Sequence, residues 1–390
     1  MHDGLHAGAR SHVGRIRLGE ITITIQPKLG QAELLSLFRY AFGLRHAMQF
    51  DRVGYATSGA LFADLLIAQL HAEVRELIER GVARTYVRTA EPLASPRGQV
   101  RFGELARRGG MIRADLPCTH HPRSSDNLLN QVLVAGLSLA MSMASDRRLR
   151  ATLAHQHAVF SSMVSPVPLS AKLLQRAGRS INRLTDAYTS ILHLIGALYE
   201  ATLLDLSAPP EGQALRGFLF DMNAFWQRVL DRFLRENLGP MRVESEHGLT
   251  SMMRYVPGHN PKRRRDPTPR PDYAIRDHGR IVALLDAKYR DLWERSLPRE
   301  MLYQLAVYAL SQPRRSTAAI LFPTTDRGAK AARIEIRDPL TQAATGYVAL
   351  RPVVLARLVG LLDDVGEHAR IARTQYAREL ALGDQVGRRP

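Results

Sequence analysis

The chain has 390 residues, 45% of them hydrophobic, and a formal net charge of +17 from 54 Lys and Arg against 37 Asp and Glu. That hydrophobic share can bury a core, which excludes a disordered basic tail, and the length suits two or three domains of roughly 150 residues. The lone Cys118 excludes an internal disulfide and a Cys-built zinc cage, and no apolar run reaches the ~18 residues of a membrane helix.

The opening MHDGLHAGAR lacks the apolar stretch of a signal peptide, so a cytoplasmic location is expected. Ile21, Ile23 and Ile25 then alternate with polar residues, the period-2 pattern of a half-buried strand, and Pro27 ends it. Leu34, Leu37, Phe38 and Ala41 recur at helical spacing, with Gly43 as the stop. A longer helix is expected after Ser58, with Phe62, Leu66, Leu70, Val74 and Leu77 as its apolar stripe and Gly81 as its end. Residues 84–117 read as strands and loops, punctuated by Pro92, Pro96, Gly98, Gly103, Gly109 and Gly110.

An apolar helix is expected from Asp126 through Leu128 to Met143, then a basic, His-containing helix ending near Val164. Ser165-Pro166-Val167-Pro168 breaks the pattern and predicts a domain boundary, giving domains 1–165 and 166–390. Helical periodicity returns over 186–204, Pro209-Pro210-Glu211-Gly212 reads as a loop, and Met222–Leu238 as a strong helix. The segment 257–271, PGHNPKRRRDPTPRP, holds five Pro and, counting His259, six basic residues; it is a loop. Strands over 272–277 and 281–288, a helix over 299–311, a strand Ala318–Phe322 and a helix over 353–381 follow, before the basic pair Arg388-Arg389.

The residues suited to chemistry concentrate between Pro271 and Lys288. Asp277 to Arg280 reads as a short Gly-containing turn between two apolar runs, hence a β-hairpin. With a three-residue loop centred on Gly279, Asp272 lies directly opposite Asp286, about 5 Å apart at Cβ; a bulge in the turn shifts that pairing by one residue. Asp286 and Lys288 are two apart on one strand and share a face. Two carboxylates this close call for a cation between them, and Mg²⁺ accepts one or two carboxylates together with waters and phosphate oxygens. Such a site suits phosphodiester hydrolysis, with the metal as Lewis acid and the lysine stabilising charge on the phosphate. A bare Asp-x-Lys is an ordinary surface ion pair. Here it ends the core run Ile281-Val282-Ala283-Leu284-Leu285, and a second Asp, preceded by Pro271, stands one hairpin upstream.

Glu300, Gln304 and Tyr308 share a helix face at i, i+4 and i+8; Gln304 and Tyr308 suit holding water or a DNA backbone, whereas Glu300 reads as a solvated position. Lys262-Arg263-Arg264-Arg265 is either a phosphate-contacting DNA-binding loop or a solvated charged loop. The charge favours a nucleic-acid partner, with membrane surfaces and ribosomes as competitors. His120-His121 and His155-x-His157 lack zinc-motif spacing, no G-x-S-x-G elbow occurs, and Trp226 and Trp293 read as packing residues.

Taken in order, Pro271-Asp272, Asp286-Ala287-Lys288 and Gln304-x-x-x-Tyr308 resemble the PD-(D/E)xK nuclease superfamily. The wider chain resembles the McrC family, the nuclease subunits of McrBC modification-dependent restriction systems. Gly19–Lys28 resembles the family's N-terminal strand ending in Pro-Lys, Leu34–Leu44 its first helix, Pro96-Arg97-Gly98-Gln99-Val100 its central turn, and Asp126–Asn130 its Asp-x-x-x-Asn helix start. Phe225-Trp226-Gln227 and Leu302-Tyr303-Gln304-Leu305 are similar to two nuclease-domain helices, so the resemblance covers most of 13–325.

The resemblance implies an α+β chain: an N-terminal mixed β and helical partner-binding domain, then a C-terminal α/β PD-(D/E)xK restriction-endonuclease-like domain with a helical lead-in. It implies a Mg²⁺- or Mn²⁺-dependent endodeoxyribonuclease of a phage-defence complex, with Asp272, Asp286 and Ala287 as the metal-holding positions, Lys288 as the catalytic lysine, and Gln304 and Tyr308 in support. It implies modified double-stranded DNA as substrate, no membrane, and an McrB-like AAA+ GTPase hexamer as the partner whose hydrolysis the chain stimulates. No Gly-Lys dipeptide occurs, so the chain carries no Walker A loop of its own, and 84–113 is the candidate ring contact. Many superfamily members place a Glu on the helix before the hairpin; the matching position here is Gln227, which offers only a neutral oxygen. Either two carboxylates suffice or Glu244 or Glu246 contributes. The alternatives are a non-catalytic assembly and GTPase-activating subunit that grips DNA, and a stand-alone repair exonuclease.

Overall fold

The structure is a computed structural model that describes residues 11–18, 21–27, 29–44, 62–108, 114–203, 216–250, 252–312, 317–364 and 366–383. Gly19, Lys28, Ser58, Gly109-Gly110, the 209–212 loop and Arg388-Arg389 lie outside the described residues. The chain is mixed α/β and divides into two compact units: Gly14–Gln26 with Arg45–Phe220, and Met1–Val13 with Pro27–Leu44 and Asp221–Pro390. We call them the helical unit and the sheet unit.

Strands β1 (His12–Leu18) and β2 (Ile21–Ile25) pair antiparallel with Gly14 opposite Ile25, as the Ile alternation predicts for the second of them. Helix α1 (Gln31–Phe42), part of the sheet unit, ends at Gly43, whose φ of 65° is the left-handed stop that glycine adopts without a Cβ penalty. Helix α2 (Phe62–Arg80) buries Leu66, Leu70, Val74 and Leu77.

Short strands follow: β3 (Thr85–Tyr86), β4 (Thr89–Leu93), β5 (Gln99–Val100), β6 (Leu116–His120) and β7 (Arg123–Ser124), joined in the orders β4-β6-β5 and β3-β7. A helix, α3 (Phe102–Arg107), interrupts this region of expected strands and loops. It buries no residue, so no apolar periodicity marks it.

Helices α4 (Leu128–Met143), α5 (Arg147–Ser161), α6 (Ala171–Ser180) and α7 (Tyr188–Leu203) are the bulk of the helical unit. Asn127, Asp146 and Ser170 cap α4, α5 and α6, each side chain accepting from the N–H three residues on. Strand β8 (Arg216–Asp221) lies beside β1, in the order β2-β1-β8. The expected boundary between 165 and 166 falls inside this unit. Helices from both sides of it, α4 and α6, pack together, and Ser165 donates to Asp126 from its N–H at 3.1 Å and its hydroxyl at 2.5 Å. The Pro-rich break is thus a tethered turn, and the division comes at Phe220/Asp221.

The sheet unit continues with α8 (Met222–Asn237), β9 (Arg242–Ser245), β10 (Tyr273–Asp277), β11 (Arg280–Ala287), α9 (Arg299–Leu310), β12 (Thr317–Thr324), β13 (Ala332–Arg337), β14 (Ala344–Val354), α10 (Leu355–Asp363) and α11 (Glu367–Leu382). Its six strands run in the order β13-β14-β12-β11-β10-β9, with β11, β12 and β14 parallel. Leu284, Ile320, Phe322 and Val348 form a core with Leu305 and Tyr308 of α9, while α8 and α11 also pack on β11. Burial of the central strands explains their continuous apolar runs. The single C-terminal helix expected over 353–381 is two helices. Gly366 starts the second, and its N–H is taken by Asp364 at 2.8 Å. No described helix is long and apolar enough to cross a membrane.

Candidate active site

The hairpin β10–β11 reaches the expected pairing by a different route. Its turn has two residues, His278 and Gly279, both at positive φ (43° and 80°), as a type I′ turn requires. That turn alone sets Asp277 opposite Arg280, but a bulge between Ile275 and Arg276 restores Tyr273 opposite Leu285 and Ala274 opposite Leu284. Val282 is the extra residue, 46% exposed, and continuing the register brings Asp272 opposite Asp286.

Asp286 is 1% exposed at the end of the central strand β11. Its Oδ2 accepts from Lys288 Nζ at 2.9 Å, while its Oδ1 is buried with no hydrogen-bond partner. Asp272 lies 3.9 Å from the same ammonium and accepts the Ala287 N–H at 2.7 Å. Burial, reinforced by the Asp272 charge, pushes Asp286 up to about 6 despite Lys288. Burial also raises Asp272, against the pull of Lys288. The two carboxylates raise Lys288 against its own desolvation. One ammonium therefore holds two carboxylates that are short of positive charge and hydrogen-bond donors.

Two helices position this triad. Helix α8 supplies Trp226, fully buried, whose Nε1 donates to the Leu321 carbonyl at 3.2 Å; the Lys288 N–H shares that acceptor at 3.1 Å. Gln227, next along, turns its side-chain amide toward Asp272, which opposes the rise of that carboxyl, and accepts from the Tyr273 hydroxyl through its carbonyl at 2.6 Å. Asn223 accepts from the Tyr289 N–H at 2.7 Å, fixing the chain just past Lys288. Helix α9 brings Tyr308, 2% exposed, whose hydroxyl donates to the Arg270 carbonyl at 2.8 Å and accepts from Gln304 at 2.7 Å. Burial raises Tyr308 to about 12, against the Gln304 hydrogen bond, and the charges of both aspartates add to that. Gln304 and Tyr308 thus hold the strand entry two residues before Asp272.

The other candidates separate clearly. Glu244 accepts from Arg276 at 2.9 Å, and that hydrogen bond, with the charges of Arg276 and Arg242, holds its carboxyl below the usual range. Glu246 is exposed at φ 51°, donates its N–H to the Asp272 carbonyl at 2.9 Å, and its charge is felt by Asp272. Lys262, Arg263, Arg264 and Arg265 are exposed, in a turn closed by Asn260, which accepts the Arg264 N–H and donates to its carbonyl, both at 2.8 Å. Glu300 is exposed, as expected for a solvated position. His120 pairs with Glu91 and His157 with Ser138, and no group of three or more His, Cys, Asp or Glu among the described residues is arranged to hold a metal. The side chain of Gln227 on Asp272 is a contact the sequence signals only by position.

The geometry suits a hard divalent cation. The two carboxylates offer only oxygen donors, and the orphaned Asp286 Oδ1 is a buried acceptor suited to a positive charge. Two protein carboxylates match an ion that keeps several waters and shares phosphate oxygens.

A family model described as "McrBC 5-methylcytosine restriction system component" matches residues 7–323. Among solved structures, the refined half-complex from the tetradecameric assembly of Thermococcus gammatolerans McrB AAA+ hexamers with bound McrC is 20% identical, covers 94% of this chain and 82% of that chain, and superposes at a TM-score of 0.61. At that identity the likeness is one of fold. The cryo-EM structure of the Thermococcus gammatolerans McrBC complex is 19% identical over 59% of this chain and 67% of that chain, at a TM-score of 0.45. No curated protein matches the chain.

Proposed function

The chain belongs to the McrBC 5-methylcytosine restriction system component family, and we propose that it is the DNA-cutting subunit: a Mg²⁺- or Mn²⁺-dependent endodeoxyribonuclease that works with an AAA+ GTPase ring resembling McrB. The observation that carries this reading is the buried Asp286, with one oxygen on Lys288, one unpartnered, and Asp272 across the hairpin. A merely structural ion pair would satisfy both oxygens, because an orphaned buried acceptor costs free energy. We read the sheet unit as a PD-(D/E)xK nuclease fold, and the helical unit as carrying the partner contact, with 84–113 its candidate surface.

Asp272, Asp286 and the Ala287 carbonyl would hold the divalent ion, which supplies a polarised scissile phosphate and a water of lowered pKa. Lys288 steadies charge that builds on the phosphate oxygens. Gln227 orients Asp272 with a neutral amide, which leaves the site with less negative charge than a third carboxylate would give. Tyr308 and Gln304 fix the approach of the chain to Asp272. Lys262 to Arg265 suits sequence-independent contact with double-stranded DNA, since charge on phosphates supplies affinity without base preference.

The test is cleavage of methylated plasmid by the chain reconstituted with its ring partner and Mg²⁺. Lys288→Ala and Asp286→Asn are expected to abolish cutting while partner GTP hydrolysis continues. Undiminished cutting overturns the reading. Gln227, in place of the usual carboxylate, favours one second reading: a non-catalytic subunit that assembles and activates the ring. It requires restriction to survive both substitutions.

A further inference from the structure

Between Asp146 and Asp186 the chain has no Asp or Glu and seven Lys or Arg. Three of these, Lys172, Arg176 and Arg179, sit on α6 at i, i+4 and i+7, hence on one face of the helix. All three are exposed, while Ala177 on the opposite side is fully buried and Leu173 and Leu174 are half-buried. Helix α6 packs on α4 and α7 through that apolar side, so the basic face points outward.

The face differs from the charged helices α2, α8 and α11, and shares with α5 the lack of any internal acid. Arg75 faces Glu79 and Arg80 faces Glu76 on α2; Arg232 faces Glu236 and Arg235 faces Asp231 on α8; Arg370 faces Glu367 on α11. Each of those arginines is neutralised within its own helix. On α6 there is no acid to do so, and among the described residues Lys172, Arg176, Arg179 and the following Arg183 form no ion pair. From Lys172 to Arg179 is about 10 Å along the axis at 1.5 Å per residue. That is the span of about three phosphates at 3.4 Å per step along one DNA strand. Ser170 caps the helix start by accepting the Leu173 N–H at 3.2 Å, so the cations stand on a fixed scaffold.

We infer that the exposed face of α6 is a second DNA contact, on the helical unit: Lys172, Arg176 and Arg179 dock one strand of duplex backbone, without base preference, in addition to the loop Lys262–Arg265 of the sheet unit. The inference rests on the reading of DNA as this protein's substrate. A helix face whose only charges are cations suits phosphates, whereas a protein partner would be met by mixed charge and apolar anchors.

The test is fluorescence anisotropy of the full chain with a short unmodified duplex, in EDTA, across about 50 to 200 mM salt. The triple variant Lys172→Gln, Arg176→Gln, Arg179→Gln should lower affinity at low salt by about 10- to 100-fold and flatten the log K against log salt slope by about 2 to 3. Arg176→Lys with Arg179→Lys keeps the charges and should keep the slope. An unchanged slope in the triple variant overturns the inference, as does absence of binding by the unaltered chain. Loss of ring assembly in the triple variant with an unchanged DNA slope overturns it in favour of a protein partner. Binding is read in EDTA, without cleavage, whereas the nuclease reading is tested by cleavage with Mg²⁺, so failure of the α6 contact and failure of the nuclease reading are read separately.

Discussion

Each unit buries a polar cluster, and the two are built on opposite terms. In the helical unit, Asn130 is fully buried; its amide donates to the Ala83 and Ser125 carbonyls at 2.9 and 2.7 Å, and its oxygen accepts from Tyr188 at 2.5 Å. The Tyr188 hydroxyl in turn accepts the Ala83 N–H at 2.9 Å, and burial raises it to about 12, so it stays neutral. Every donor and acceptor has its partner and no charge is present. In the sheet unit, two carboxylates share one ammonium, and an Asp286 oxygen has none. The saturated cluster fastens α4 and α7 to the 83–85 chain. The unsaturated one keeps capacity for something the protein itself does not contain.

Substitutions can break or sharpen that contrast. The largest effect is expected from Lys288→Ala, which removes the only cation of the unsaturated cluster and should cut cleavage by the reconstituted complex at least about 100-fold. Retained cleavage would place the chemistry elsewhere. Asn130→Ala should act on the fold instead. It leaves the Tyr188 hydroxyl without its acceptor and the Ala83 and Ser125 carbonyls with only the Asn127 amide, so urea unfolding should show a loss of about 2 kcal/mol, while folded protein cuts normally. A loss below about 1 kcal/mol would mean water substitutes freely. Tyr308→Phe removes the tie to Arg270 and should lower cleavage by about 10-fold, with the Mg²⁺ requirement intact.

The smallest effect is expected from Asp286→Asn on stability. The folded-state value of Asp286, about 6, lies above its ordinary 3.8, so its charge opposes folding. Stability therefore falls as pH rises from about 4 to about 6, and levels off above. Asp286→Asn should flatten that slope and leave the melting temperature near pH 7 unchanged or higher, although cleavage is lost. A lower melting temperature would make Asp286 a structural residue like Asn130.

Much of this was legible in the residues. The apolar stripes of α2 and α8 and the alternation of Ile21 to Ile25 predict their elements because burial there is one-sided and periodic. The facing of Asp272 and Asp286 follows from the hairpin pattern, although the turn and the bulge each depart from the simple reading and offset one another. Strands β13 and β14 were not legible. Ala332–Arg337 is an edge strand with mostly exposed residues, and β14 contains Pro352 and Arg351, which read as breakers. Arg351 is buried there because it donates to the Leu380 and Ala381 carbonyls at the end of α11, a partnership some thirty residues away in sequence. Tyr308 was legible as a candidate, but its hydrogen bond to Arg270 was not, since that bond depends on how the Pro-rich loop returns to the sheet. The domain boundary failed for a related reason: prolines mark the end of helices, and only Asp126 reveals that the chain is tied back.

The bulge at Val282 makes the hairpin a counting device. The two-residue turn and the extra residue are one residue out of step in opposite senses, and only their sum sets the acids facing each other. Val282 is the residue left unpaired, so deleting it would give a regular ladder that still sets Asp272 opposite Asp286, whereas a ladder that paired Val282 with Ile275 would slip every later pair by one and set Leu285 opposite Asp272. In a hairpin of this length the bulge is therefore what keeps the two acids on one face. Variants that alter the length of this hairpin are better judged by the pairing they leave between residues 272 and 286 than by which residues they retain.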